Sequence, residues 1–485
     1  MSPRAIRVLL AAAAAAALVL LSRHAPPFRE VSDGAILEIY TLEALRGKLL
    51  LGPYSRFGWH HPGPLYFYLQ APWYWLSGLH TAGMQAGALA INAAAAALIA
   101  WVLAAHATSV LALFTSLAVA FYAVRCGDLL VSVWNPHVIV LPMLAFLIVA
   151  AGCAASGRRA LVLWLVALGS LLVQTHVAMA PVVASAGVFV LAAQFTAVRR
   201  AAPAAGLLAV VLWLPAILEQ LTHRPGNVVA LATFFTAGAG HGSDAIVALT
   251  AWASALTDVF RPSFTVANGL DFQSSAGAAR IMFACVQLTL LIPLVLFRAT
   301  RIDVFTRSIA FVFALSTTVA LWETGRIHDR IVDHEVFWIS ALGAVNAALM
   351  AACLAEALRL RLPESAGRRA AAAVVAAAAA VGAAGMQHVM TRSRTPDDHA
   401  VDVLVEAIEQ RIAEERPRRI LFHIEPPIWT IAAGALLQID KARVRFAVDD
   451  RWTTMFGEAF TPNGREDLRL TISGSPRQPV LIRTP

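Results

Sequence analysis

The sequence predicts a polytopic α-helical membrane protein, a bundle of about 11 transmembrane helices followed by a small C-terminal extracytoplasmic α/β domain. Three observations predict it. The 485 residues are 59% hydrophobic and 14% charged, against about 25% charged in a soluble globular chain. Apolar, alanine-rich runs of roughly 20 residues recur, the length a helix needs to cross a ~30 Å hydrocarbon core. Arginines gather in the short stretches between those runs. In lipid each backbone N–H and C=O must be bonded inside a helix or a closed barrel, and runs this long select helices.

Taken in order, the expected spans are 6–22, 83–105, 108–124, 137–154, 160–178, 181–197, 204–221, 279–297, 308–323, 335–355 and 370–389. The first follows Arg4 and Arg7, so a cleaved signal peptide competes with a membrane helix. Ser22-Arg23-His24-Ala25 offers no small-x-small cleavage site, and an uncleaved helix is expected. The 160–197 stretch is ambiguous, because Gln174, His176 and Pro181 interrupt one long apolar run.

Charge sets the orientation independently. With the N-terminus inside, the inner loops receive Arg158-Arg159, Arg199-Arg200, Arg298 with Arg301 and Arg307, and Arg359 with Arg361, Arg368 and Arg369. This satisfies the positive-inside rule along the chain. The outer side then holds a first loop (23–82), a short loop (125–135), a long loop (222–278), the charged turn 323–333 and the tail. The expected location is a bacterial cytoplasmic (inner) membrane, multi-pass, with the C-terminal domain outside.

The net charge of +8 and pI near 9.8 come from those loop arginines, and no nucleic-acid partner is expected. Cys126, Cys153, Cys285 and Cys353 show no metal-ligand spacing and imply no disulfide framework. The expected domains are residues 1–390 in the membrane and 391–485 as the α/β domain. In the tail, Val401, Leu404, Val405, Ile408 and Ile412 recur at helical steps over 397–415. Residues 420–424 read as a strand, 429–437 as a helix, and 444–448, 468–472 and 480–482 as further strands.

The chemistry concentrates in the first outer loop. Residues 51–78 crowd Arg56, Trp59, His60, His61, four prolines and a run of Phe, Tyr and Trp into one connector. Asp33 and Glu38 precede it. Residues 34–51 carry the pattern of an amphipathic interfacial helix, with Ile36, Ile39, Tyr40 and Leu45 on one face. A second interfacial helix is expected over 64–79, since proline suits the first helical turn.

An acidic residue soon after the first helix, an amphipathic helix ending in glycine, then a His-Pro-x-Pro-like motif: this loop resembles the first outer loop of GT-C superfamily glycosyltransferases. It is similar to that of the protein O-mannosyltransferases and the lipid A aminoarabinose transferases. The residues that carry the resemblance are Asp33-Gly34, Gly47 or Gly52, and His61-Pro62-Gly63-Pro64-Leu65, within about residues 25 to 80. Those families carry Asp-Glu and Pro-Pro where this chain has Asp33-Gly34 and Pro62-Gly63-Pro64, so the donor sugar stays open.

The resemblance implies a GT-C-like bundle and an inverting transfer of a sugar from a polyprenyl-phosphate carrier to an acceptor hydroxyl. The implied partners are that lipid-linked donor, a lipid, glycan or protein acceptor, and membrane lipids. Asp33 would be the general base and Asp128 a second acid. Arg56, His60, His61 and Arg326, with Glu38, would bind the donor phosphate and sugar. Trp59, Tyr66, Asn135 and His176 would contact substrate. No cofactor is expected, and a divalent metal stays open.

Each residue also has a duller assignment. Asp33 can cap a helix starting at Gly34, Glu38 can sit on a solvated face, and the histidines can pack at the interface. The aromatic run can be a membrane anchor. Asp128 can form a loop salt bridge, and Gln174 and His176 a helix–helix hydrogen bond. At the level of the whole protein, a transporter or lipid flippase and a non-catalytic envelope-assembly scaffold remain the alternatives to an enzyme.

Overall fold

The structure is a computed structural model, and it describes residues 3–237, 242–264, 266, 276–296, 303–328 and 330–484. Arg298 and Arg301, named above for their charge, and Asp329 of the 323–333 turn lie outside the described residues.

The described residues of each expected span are largely helical, with short breaks at Ile139, Gln194 and Phe337–Trp338. Six described helices are long and apolar enough to cross a membrane: Thr81–His106, Asn135–Ser156, Phe195–Thr222, Val304–Thr324, Asp333–Ala357 and Glu364–Thr391. The others are Pro3–Arg23, Ser109–Arg125, Arg159–Thr175, Met179–Ala193 and Ala278–Leu296. The ambiguous 160–197 run is two helices. The chain turns to an extended conformation at His176, which ends the first of them. Two further helices, Asn227–Ala237 and Ala245–Asp258, lie within the long 222–278 loop. Both are apolar but shorter than the ~19-residue window that reveals spans.

The described chain divides into two compact units. The larger comprises Ala88–Ile217 and Val228–Gly385. Its helices pack closely: a Cβ at Gly343 would lie 1.7 Å from the Leu256 carbonyl oxygen, so only glycine permits that approach. Some polar side chains pair inside it. Trp252 Nε1 donates to Thr317 O at 3.1 Å, and Asn346 Nδ2 to Thr317 Oγ1 at 3.0 Å.

The smaller unit joins Met1–Gly87, Leu218–Asn227 and Met386–Pro485. Its sheet has the order β2-β1-β3-β4, with β1 Ile420–Ile424, β2 Phe446–Val448, β3 Leu468–Ser475 and β4 Gln478–Arg483. β1 pairs in parallel with β2 and with β3, and β3 pairs antiparallel with β4. The parallel β1–β2 pair needs a crossover, which the Trp429–Lys441 helix supplies. That helix packs on Pro396–Glu415, and also on Ser32–Leu45, which in turn packs on Leu65–Leu76. The tail helix and strand expectations thus hold, with ends shifted by a few residues.

Candidate functional site

The first loop builds its site from a buried helix and a tight hairpin. The helix Ser32–Leu45 ends in a glycine cap. Gly47 takes φ +71, Gly47 N–H bonds Ala44 O, and Lys48 N–H bonds Glu43 O at 3.0 Å. At its start, Ser32 holds φ +53, a left-handed conformation uncommon for serine, one residue before Asp33. The N-cap position is Val31, and no side chain caps the helix. Asp33 therefore sits in the first turn without the capping role its sequence position allowed. Instead its Oδ1 accepts a hydrogen bond from the Tyr54 hydroxyl. Burial first, then the Asp33 charge, holds the Tyr54 phenol well above its usual range, so the proton stays on tyrosine.

Tyr54 begins the hairpin. It bridges antiparallel to His60, Ser55 N–H bonds Trp59 O at 2.8 Å, and His61 N–H bonds Pro53 O at 2.8 Å. Gly58, at φ +83, makes the turn. The hairpin leaves Arg56 exposed, its guanidinium 4.6 Å from the centroid of the Phe57 ring. Trp59 and His61 are buried with rings edge to face at 5.4 Å. Tyr66 is fully buried and its hydroxyl accepts from Gln70 Nε2 at 2.8 Å.

His60 differs from its expected role as a cation. Its backbone is clamped from both sides by the Asn227 carboxamide, N–H to Oδ1 at 3.0 Å and C=O from Nδ2 at 2.8 Å. Its Nε2 lies 2.9 Å from Thr454 O. A carbonyl only accepts, so Nε2 carries the proton and donates. Tyr40 Oη, 3.1 Å from Nε2, donates onward to Met455 O at 3.0 Å. Burial depresses the imidazole to about 4. At neutral pH His60 is an uncharged clamp between the hairpin and the tail.

Glu38 also departs from expectation. It is fully buried, as is the helix on every side from Ala35 to Ala44. Its carboxylate meets Lys441 Nζ at 2.5 Å, the Tyr74 hydroxyl at 2.8 Å and the Thr81 hydroxyl at 2.9 Å. The solvated-face assignment and the amphipathic pattern both give way, because the polar residues of this helix find partners on the tail.

Glu30 enters the site unannounced by any motif. A Cβ at Gly34 would lie 2.5 Å from Glu30 Oε2. The Glu30 carboxyl therefore fills the space beside Gly34. Burial, then the Glu38 charge, pushes Glu30 up to about 7. The pH consequences of Glu30 and His60 oppose each other. His60 titrates near 4 folded and about 6.5 unfolded, so its contribution is lost as pH falls from about 6.5. Glu30 titrates near 7 folded and about 4.3 unfolded, so its contribution is lost as pH rises through 7. Glu30→Gln removes only the second trend. Its stability relative to wild type should rise by up to roughly 3 kcal/mol between about pH 4.5 and 7. Thermal unfolding in detergent across that range checks this, and parallel profiles would refute it.

Asp128, Asn135, His176 and Arg326 belong to the larger unit. Asp128 is exposed in the turn Gly127–Leu130. Asn135 Nδ2 donates to Thr175 O at 3.3 Å, which brings Asn135 beside buried His176. Gln174 Nε2 donates to Leu212 O at 3.0 Å, a helix–helix hydrogen bond. Arg326 lies 5.7 Å over the Trp322 ring.

Among the described residues, Glu219, His223 and Glu458 place one ligand atom each within 4.8 Å of one another. Two carboxylates and an imidazole suit a zinc-like divalent ion. Glu219 and His223 are one helical turn apart, but Glu458 comes from the tail, so no local spacing announced the trio. Glu219 also accepts the Asn227 N–H at 2.9 Å, which links this group to the His60 clamp.

No protein-family model matches the chain, and no curated protein matches it. Among solved structures it is similar to ArnT from Cupriavidus metallidurans in the apo state, at 15% identity and a TM-score of 0.48, over 97% of this chain and 93% of that one. It is likewise similar to ArnT from Cupriavidus metallidurans bound to undecaprenyl phosphate, at 13% identity and a TM-score of 0.47, over 96% of this chain and 92% of that one.

Proposed function

We propose that this chain is an inverting glycosyltransferase of a bacterial cytoplasmic membrane. It moves a sugar from a polyprenyl-phosphate carrier to an acceptor hydroxyl on the outer side. The observation that carries the proposal is Asp33: a carboxylate held by the Tyr54 hydroxyl, on a backbone whose preceding residue is left-handed. Left-handed non-glycine residues gather at functional sites. The resemblance of residues 25 to 80 to GT-C loops supports the donor class.

In this reading Asp33 accepts the acceptor's hydroxyl proton. The acceptor oxygen bonds the anomeric carbon as the bond from that carbon to the phosphate oxygen breaks. The electron pair leaves with the phosphate and the configuration inverts. Arg56, exposed on the hairpin, is the cation suited to the departing phosphate. Uncharged His60 serves as architecture.

Asp33→Asn protein purified from native membranes in mild detergent should retain a polyprenyl-phospho-sugar identifiable by mass spectrometry. That result would name the donor. Bulk phospholipid alone, in wild type as well, would turn the assignment toward transport or scaffolding.

A further inference from the structure

The Ser32–Leu45 helix and the tail's Trp429–Lys441 helix face each other with two ion pairs of opposite polarity. Glu38 of the first meets Lys441 of the second at 2.5 Å. Arg46, at the end of the first, meets Asp440 Oδ1 at 2.8 Å, and its Nη2 donates to Asp440 O at 3.0 Å. Glu43 braces Arg46 at 2.6 Å. Acid and base are therefore crossed between the two helices, and the tail supplies adjacent residues of opposite sign.

Apolar burial is non-directional, and this helix is buried on all sides. Packing alone does not choose its rotation or axial position. A crossed pair of charges does, because sliding or turning either helix brings Glu38 toward Asp440 or Arg46 toward Lys441. Buried ion pairs are weak evidence of stability, and setting register is their best-attested use. The same helix carries Asp33 in its first turn and Tyr40, which contacts the His60 ring.

We propose that Asp440 and Lys441 are positioning residues: the tail sets the register of the helix that presents Asp33 and so completes the site from a distance in sequence. This rests on the reading of Asp33 as the base.

The test exchanges the less buried pair in the full chain. Arg46→Asp alone should lower kcat by about 10²-fold, since roughly 1 Å of misplacement at a reacting group costs that much. It should also raise hydrogen exchange of the Ser32–Leu45 amides. The double variant Arg46→Asp with Asp440→Arg should recover both, and Arg46→Lys should keep most of kcat. Loss of thermal stability in Arg46→Asp with kcat per folded molecule unchanged would reduce the pair to a structural brace and overturn the proposal. So would a double variant that recovers neither readout. If Asp33→Asn itself keeps full turnover, the reading of Asp33 fails, while the exchange data still report on register.

Discussion

Asp33→Asn is expected to lower transfer turnover by about 10²–10⁴-fold, the usual contribution of a general base. Asparagine keeps the size and the oxygen that accepts from Tyr54, but it cannot take a proton from the acceptor. The loss should therefore fall on kcat, with the donor KM nearly unchanged, as for an interaction made only in the transition state. Steady-state kinetics with the lipid-linked donor recovered from the protein would measure both. The Ser32 φ of +53 and the Tyr54 hydrogen bond are local, so the variant should fold as wild type does, and unfolding in detergent provides that control. Undiminished turnover of a normally folded variant would remove Asp33 from the chemistry.

Features set by neighbouring residues were legible in the sequence. Apolar runs gave the spans, because lipid demands an internally bonded helix of a fixed length. Strand β1, Ile420–Ile424, followed from its own short apolar run, and its burial alternates along the strand. Features set by distant partners were not legible. Glu38, Glu43 and Arg46 look like the wet face of an interfacial helix until Asp440 and Lys441 are brought against them. His60 looks like a cation until burial makes it neutral and Thr454 O places the proton on Nε2. The Glu219–His223–Glu458 trio needs the tail to meet the 219–223 turn. The helices of the 222–278 loop fell below the length that hydropathy detects. In each case the missing information was a contact between segments far apart in the chain.

Glu38→Leu should destabilise the protein by about 3–5 kcal/mol, among the largest effects available to a single substitution here. The cause is less the lost attraction than what stays behind. The Lys441 ammonium, 18% exposed, would keep its charge and lose the carboxylate it now meets at 2.5 Å. The Tyr74 and Thr81 hydroxyls would each lose an acceptor inside the unit, at about 1–3 kcal/mol for a buried unsatisfied group. The pair Glu38→Gln with Lys441→Met removes both charges and keeps an oxygen for the two hydroxyls. That double variant should unfold within about 1 kcal/mol of wild type, because a buried ion pair and a well-packed neutral replacement are often equivalent. Thermal and denaturant unfolding of the single and double variants would separate the two outcomes. A Glu38→Leu protein as stable as wild type would mean that Lys441 finds water or another acid once Glu38 is gone. The buried pair would then owe its presence to something other than the cost of breaking it.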